Sequence, residues 1–179
     1  MIELKKWSDV SHKALEDLYE NVDQSRCLVQ LMVPLPKEQT EKYINAILTG
    51  IVDDKPFLCF AITLDDEIIG KTELSRYPNN AAEIDIVLKK EYTGKGYGAE
   101  AIQQLYAYVQ KTSWCNAIYA YVSTENIPAG KLFARAGYAL GRPFQADVMV
   151  PVNGNYRMET KKGYEFIIDV EKMREGEVA

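Results

Sequence analysis

Ile84-Asp85-Ile86-Val87-Leu88, then Thr93-Gly94-Lys95-Gly96-Tyr97-Gly98, then an amphipathic run from Ala99: the fold is read outward from this stretch. An apolar strand, a glycine-rich turn and a helix start, in that order, make a place to bind phosphate. The N–H groups of a helix's first turn have no intrahelical partners, and the helix dipole favours an anion beside them. Glycine lets the backbone approach a pyrophosphate with no Cβ in the way.

Downstream, the helix runs over about 95–111 with Ala101, Ile102, Leu105, Tyr106 and Val109 as its apolar face. Ala117-Ile118-Tyr119-Ala120-Tyr121-Val122 is then a strand. Strand, helix, strand implies two parallel strands joined by a right-handed crossover. A short helix over about 126–136 follows, with Asn126 suited to its N-cap, Pro128 to its first turn and Gly137 to the position just past its end. The rest, 138–170, reads as strands with turns at Asn153-Gly154 and Lys162-Gly163.

Upstream, residues 2–6 read as a first strand, and Ser8 or Ser11 caps a helix to about Glu20 that buries Ala14, Leu15 and Leu18. Val33-Pro34-Leu35-Pro36 is extended, because proline disfavours helix for the residue before it. A helix over about 38–49 carries Tyr43, Ala46, Ile47 and Leu48 on its apolar stripe. The runs 57–62 and 68–74, joined by Asp65-Asp66-Glu67, form a hairpin, and the strand at about 82–89 leads into the glycine turn. The class is therefore α+β: hairpins first, one parallel crossover in the middle, antiparallel strands last.

Composition bounds the rest. The chain has 179 residues, 47% apolar and 26% charged, which suits one globular domain over 1–179. A net charge of −5 argues against a nucleic-acid binder with a basic face. No apolar run approaches the ~18 residues of a membrane span, and Met1-Ile2-Glu3-Leu4-Lys5-Lys6 has no signal-peptide core, so a cytoplasmic setting is expected. Cys27, Cys59 and Cys115 are far apart and follow no metal or redox spacing. His12 is the single histidine, which disfavours a zinc site or a Ser-His-Asp triad. No metal is expected.

The glycine turn fails two phosphate-binding patterns. A P-loop needs four residues between its first glycine and Gly-Lys-Ser/Thr, whereas Gly94-Lys95 is followed by Gly96. A dinucleotide fingerprint spaces its glycines by one and then two residues, whereas Gly94, Gly96 and Gly98 are spaced one and one. The third reading resembles the GNAT acetyltransferase superfamily, whose signature is Gln/Arg-x-x-Gly-x-Gly/Ala at the helix after the fourth strand. Here Gly96 and Gly98 match its glycines. A second family motif, Asn, a small residue, an aromatic and then Gly-Phe/Tyr, is similar to Asn126 through Tyr138, about 30 residues on. The resemblance covers 57–140 well, and the N-terminal helices with the Pro-Leu-Pro loop look most like the ribosomal-protein and polyamine branch.

The resemblance implies a central, mostly antiparallel mixed sheet of about seven strands with its parallel crossover between strands four and five, flanked by about four helices. It implies acetyl-CoA as co-substrate and a primary amine as acceptor, either a small molecule or a protein N-terminus or lysine. It implies that Thr93, Gly94, Lys95, Gly96, Tyr97, Gly98 and Ala99 hold the pyrophosphate, and that Ile86, Val87 and Leu88 line the pantetheine arm. Asn126, Ala129 and Phe133 complete the cofactor set. In the family a bulge parts strands four and five, and the thioester lies in that gap. The Leu88 backbone N–H then faces the oxyanion of the tetrahedral intermediate.

Two residues depart from the family pattern. Thr93 stands where Arg or Gln is usual, so the turn brings a hydroxyl and no charge, with Lys95 supplying some positive field. Phe133 stands where many members carry a tyrosine acid. An alkyl thiol has a pKa of about 8.5 and leaves tolerably without an acid, whereas an ammonium near 10 must lose a proton first. That task needs a carboxylate. Glu83 and Asp85, two apart and so on one strand face, are the candidate bases. Tyr92, Tyr119, Tyr121 and Ser123 are secondary proton donors. The Lys89-Lys90 and Lys161-Lys162 pairs read as solvated surface. A stretch at 144–163 is extra between the last strands. The expected protein is an N-acetyltransferase acting by direct attack, as monomer or homodimer. Phe133 keeps one rival open: an acyl-CoA-binding sensor of the same fold without catalysis.

Overall fold

The computed structural model describes residues 1–170. It contains strands β1 (Glu3–Lys6), β2 (Ile51–Val52), β3 (Lys55–Leu64), β4 (Glu67–Tyr77), β5 (Ala81–Leu88), β6 (Ala117–Ser123), β7 (Ala139–Val152) and β8 (Asn155–Asp169). The helices are α1 (His12–Glu20), α2 (Lys37–Thr49), α3 (Tyr97–Thr112) and α4 (Ile127–Arg135). Seven strands form one sheet in the order β1-β3-β4-β5-β6-β8-β7, and the two-residue β2 pairs with β3. All neighbours are antiparallel except β5 and β6, the crossover pair. The expected fourth and fifth strands are therefore β5 and β6.

Local signals explain the ends of these elements. Ser11 caps α1 by accepting from the Ala14 N–H, and Asn126 caps α4 by accepting from the Ala129 N–H. Gly137 takes φ 89° just past α4. Asp65-Asp66 (φ 50° and 66°) and Asn153-Gly154 (φ 49° and 77°) are two-residue turns with left-handed backbone, which suits the twist of a hairpin.

Apolar residues pack on both faces of the sheet. On one, Phe60, Leu74, Ile84, Ile118, Ala120 and Phe166 meet α3 and α4 through Ile102, Leu105, Val109 and Phe133. On the other, Phe57, Cys59, Ala61 and Val87 meet α1 and α2 through Leu15, Leu18 and Ala46. Side chains of α3 also hold β1: Glu100 Oε1 accepts from the Ile2 N–H at 3.1 Å, and Gln104 accepts from the Leu4 N–H at 3.1 Å.

Several expectations need correction. Leu48 is exposed (57%), and Thr40 and Ala46 are the buried residues of α2. Gly94 and Lys95 precede α3, whose N-cap is Gly96. Lys162-Gly163 is no turn: both lie inside β8. A Cβ on Gly163 would stand 2.4 Å from the Phe144 ring and 2.4 Å from the Val122 carbonyl, so this glycine allows close approach within a strand. The stretch 144–163 is consequently part of the β7–β8 ribbon. Ser123, at the end of β6, pairs with Gly163, and the ribbon runs on to the Asn153-Gly154 turn without β6.

Candidate active site

The parallel pairing of β5 and β6 is short. Ala81 pairs with Ala117, Ala82 with Ile118 and Glu83 with Tyr119, and there it stops. Beyond that point β5 runs on to Leu88 and β6 to Ser123 with no ladder between them. The family-based expectation of a bulge in β5 is not met, because its register with β4 is unbroken from Tyr77–Ala81 to Gly70–Leu88. The gap opens because β6 leaves, continuing beside β8. The Lys89 N–H donates back to Ile69 of β4 at 2.8 Å. Strand alternation then turns the N–H groups of Leu88 and Ile86 away from β4, towards the gap.

The glycine turn follows. A 3₁₀ turn over Lys90–Tyr92 leads to Gly94 and Gly96, with φ of 75° and 91° and open space where each Cβ would sit. No side chain caps α3. Its first-turn N–H groups therefore face outward at the positive end of a 16-residue helix. This geometry fits a pyrophosphate held by backbone alone. Gly98 has a packing role in addition: a Cβ there would lie 3.2 Å from Leu132 of α4. The Thr93 hydroxyl donates to the Lys90 carbonyl at 2.8 Å, so it stabilises the 3₁₀ turn. Lys95 Nζ sits 5.5 Å from the centre of the Tyr92 ring.

Alternation and register assemble the opposite side. Lys71, Glu73, Ser75 and Tyr77 of β4 stand beside Val87, Asp85, Glu83 and Ala81 of β5, on the sheet face that α1 and α2 cover. The Glu83 side chain is half-buried and makes no hydrogen bond or ion pair among the described residues. Burial, and then the Asp85 and Glu73 carboxylates, push its pKa above the ordinary glutamate value. Asp85 is more exposed and lies 3.1 Å from Lys71 Nζ. Farther along this face the Tyr77 and Tyr121 hydroxyls are 2.8 Å apart, and Tyr121 donates to Glu165 at 3.4 Å. Burial and Tyr77 raise the Tyr121 pKa, which makes it a reluctant acid.

The structure thus brings Glu83, Asp85 and the β5 backbone to one side of the gap and the glycine turn to its end. Phe133 lies elsewhere, in the apolar core. It is 4% exposed, with its ring 5.0 Å from Tyr138 and 6.1 Å from Phe166 between centroids. Asn126 and Ala129 are joined in the α4 cap. Two lysines taken as solvated are buried ion-pair partners: Lys89 with Asp17 at 2.8 Å and Lys161 with Glu125 at 3.0 Å. Sequence reading missed Lys71, Glu73, Tyr19 and Tyr43. The available signal was the Lys-Thr-Glu step directly after the apolar Ile68-Ile69-Gly70 run, which puts Lys71 and Glu73 on the face shared with Cys59 and Ala61.

The model of the acetyltransferase (GNAT) domain matches residues 3–139, so the chain belongs to the GNAT acetyltransferase family. This family transfers acetyl groups from acetyl-CoA to amines. Streptothricin acetyltransferase of Escherichia coli is 30% identical over 92 residues, 49% of this chain and 51% of that protein. The chain thus spans about half the length of the curated relative it matches. Among solved structures, a chimeric spermidine N-acetyltransferase built from the Vibrio cholerae and hSSAT proteins superposes with a TM-score of 0.74 at 19% identity, covering 96% of each chain. The ribosomal L7/L12 alpha-N-protein acetyltransferase RimL, in complex with coenzyme A, gives 0.71 at 18% identity, covering 94% of this chain and 93% of that one. The microcin C7 self-immunity acetyltransferase MccE, in complex with acetyl-CoA and AMP, gives 0.72 at 16%, covering 94% and 92%. At these identities the structural likeness is one of fold. Among the described residues no helix is long and apolar enough to cross a membrane.

Proposed function

We propose that this protein transfers the acetyl group of acetyl-CoA to a cationic primary amine by direct attack in a ternary complex. The observation that carries the reading is the gap itself: β5 and β6 pair only as far as Glu83 and Tyr119, and the β5 edge beyond leads into an uncapped helix start. The free β5 edge at Ile86 and Leu88 suits the amides of a pantetheine arm, and the backbone N–H groups from Gly96 to Ala99 suit the pyrophosphate. The Leu88 N–H is assigned to the thioester oxygen and steadies the negative charge that develops there.

The acceptor enters over the face covered by α1 and α2. Around Glu83 this face carries the Glu73 and Asp85 carboxylates with the single Lys71 ammonium between them, and the Glu83 side chain has no ion-pair partner among the described residues, which favours a cation. Glu83 is the assigned base. It takes a proton from the bound ammonium, and the freed nitrogen lone pair forms the bond to the acetyl carbon; the carbon–sulfur bond then breaks, and the second proton of the attacking nitrogen passes to the departing thiolate, leaving a neutral amide and the CoA thiol. Phe133 supplies no proton, and a thiolate leaving group does not require one. A protein N-terminal amine, the acceptor of one structural neighbour, fits this description.

Free-thiol release from acetyl-CoA, measured with a panel of polyamines, peptides and amino sugars, tests the reading. An acceptor-dependent rate is expected. Tight CoA binding with no acceptor acetylated across the panel would replace it with the sensor reading.

A further inference from the structure

Lys71 is the largest of the fully buried side chains, with 1% exposure. Lysine is almost never enclosed to this degree unless paired. Its Nζ lies 2.7 Å from Glu73 Oε2 and 3.1 Å from Asp85 Oδ2. The ring centres of Tyr43 of α2 and Tyr19 of α1 are 5.5 Å and 5.9 Å away. The Tyr43 hydroxyl donates to the same Glu73 oxygen. Two carboxylates and two aromatic rings are the groups that bind a free alkylammonium ion. The cage is open on one side, since the Asp85 side chain is 55% exposed. Asp85 is also two residues from Glu83 on the same strand face, where the acceptor amine is assigned above.

We infer that Lys71 is a specificity-determining residue. Its own ammonium fills a cage that would otherwise receive a second ammonium group of the acceptor, so the protein selects acceptors with one cationic centre near the reacting amine. The inference about specificity rests on the acetyl-transfer reading; the cage does not.

Lys71→Ala removes Cγ, Cδ, Cε and Nζ, the atoms of n-propylammonium. Two measurements on the full-length variant are needed. Thermal melting with methyl-, n-propyl- and n-hexylammonium should show stabilisation greatest for n-propyl, with none in the wild type. The kcat/KM ratio for diamine over monoamine acceptors of matched length should rise by about tenfold or more, the scale of one added charge-assisted contact. An unchanged ratio, or no dependence on alkyl length, overturns the inference.

If Lys71→Ala does not fold, Lys71→Met decides, because it keeps the volume and removes the charge. The titratable groups around Lys71 are Glu73, Asp85 and Glu83 of the sheet, Cys59 of β3, Cys27, Tyr19 and Tyr43. Burial holds Cys27 at about 11 and Cys59 and Tyr19 at about 12, so only the carboxylates change charge in acid. Lys71→Met should be destabilised at neutral pH and should recover towards wild type as the carboxylates protonate. A difference independent of pH would mean that Lys71 only fills space, and overturns the inference. A wild type that acetylates no amine, beside a Lys71→Ala variant rescued by n-propylammonium, would remove the acetyl-transfer reading and leave the cage.

Discussion

Glu83 sits in the β5 ladder opposite Ser75, on the face shared with Asp85 and Glu73, and burial with those two charges lifts its pKa. A base works only when deprotonated, so kcat/KM should rise with pH through an acidic limb placed above the ordinary glutamate value. Glu83→Gln should lower the rate and abolish that limb. Asp85→Asn removes a negative neighbour and should move the limb to lower pH; a limb that stays put in both variants excludes Glu83. The same shift has a sign for stability. The folded state binds the Glu83 proton more tightly than the unfolded state, so stability falls as pH rises between the ordinary carboxylate value of about 4.3 and the raised one. Glu83→Gln should therefore melt higher than wild type at pH 7, with the difference vanishing below about pH 4. Phe133 makes the converse case. Its ring is in the core against Tyr138 and Phe166, so Phe133→Tyr should bring no gain in kcat. It should cost about 1–3 kcal/mol in denaturant unfolding if the new hydroxyl finds no partner.

At the scale of elements, the glycines separate by what they do. Gly96 has φ 91° and empty space around its missing Cβ, so Gly96→Ala meets only backbone strain, about 1–2 kcal/mol. That strain falls on the N-cap of α3, and acetyl-CoA affinity by calorimetry should weaken with it. Gly98 is a less specific probe, since its Cβ would press on Leu132 and disturb α3 against α4. Gly163→Ala should cost about 1–3 kcal/mol by overpacking, because one of its two clashes is with the Val122 carbonyl, which cannot rotate away. These glycines also mark what the chain discloses before folding. Gly94, Gly96 and Gly137 sit at ends of elements, and their spacing shows there. Asn126 likewise shows its cap, which is why the crossover and four helices are legible. Lys162-Gly163 resembles a turn locally, and only residues distant in sequence, Phe144 on β7 and Val122 and Ser123 on β6, make it strand. The Lys71 cage is less legible still. It draws Tyr19, Tyr43, Glu73 and Asp85 from four elements, and the Lys-Thr-Glu step of β4 discloses only Lys71 and Glu73. The Phe133 ring faces the core for a similar reason, since Tyr138 and Phe166 that hold it lie on later segments.

Across the whole molecule the sheet separates two tasks. The uncapped start of α3 and the free β5 edge present backbone donors for the donor substrate. The α1 and α2 face presents carboxylates for the acceptor. The ribbon formed by β7 and β8 beyond Ser123 pairs with neither. Binding of acetyl-CoA should therefore stabilise the fold from a restricted set of contacts. At a concentration one hundred times Kd, the linkage free energy is about 2.7 kcal/mol. For a chain of this size each kcal/mol moves Tm by about 2–4 °C, so a rise of about 5–11 °C is expected. Hydrogen exchange should locate it: protection should increase at the Ile86 and Leu88 amides and in the first turn of α3, and stay level in the ribbon over 145–162. If Tm rises while those amides exchange as before and the ribbon becomes protected, acetyl-CoA binds somewhere other than the gap. Gly96→Ala adds an internal control, since it should reduce the rise in Tm at fixed acetyl-CoA while leaving ribbon exchange unaltered.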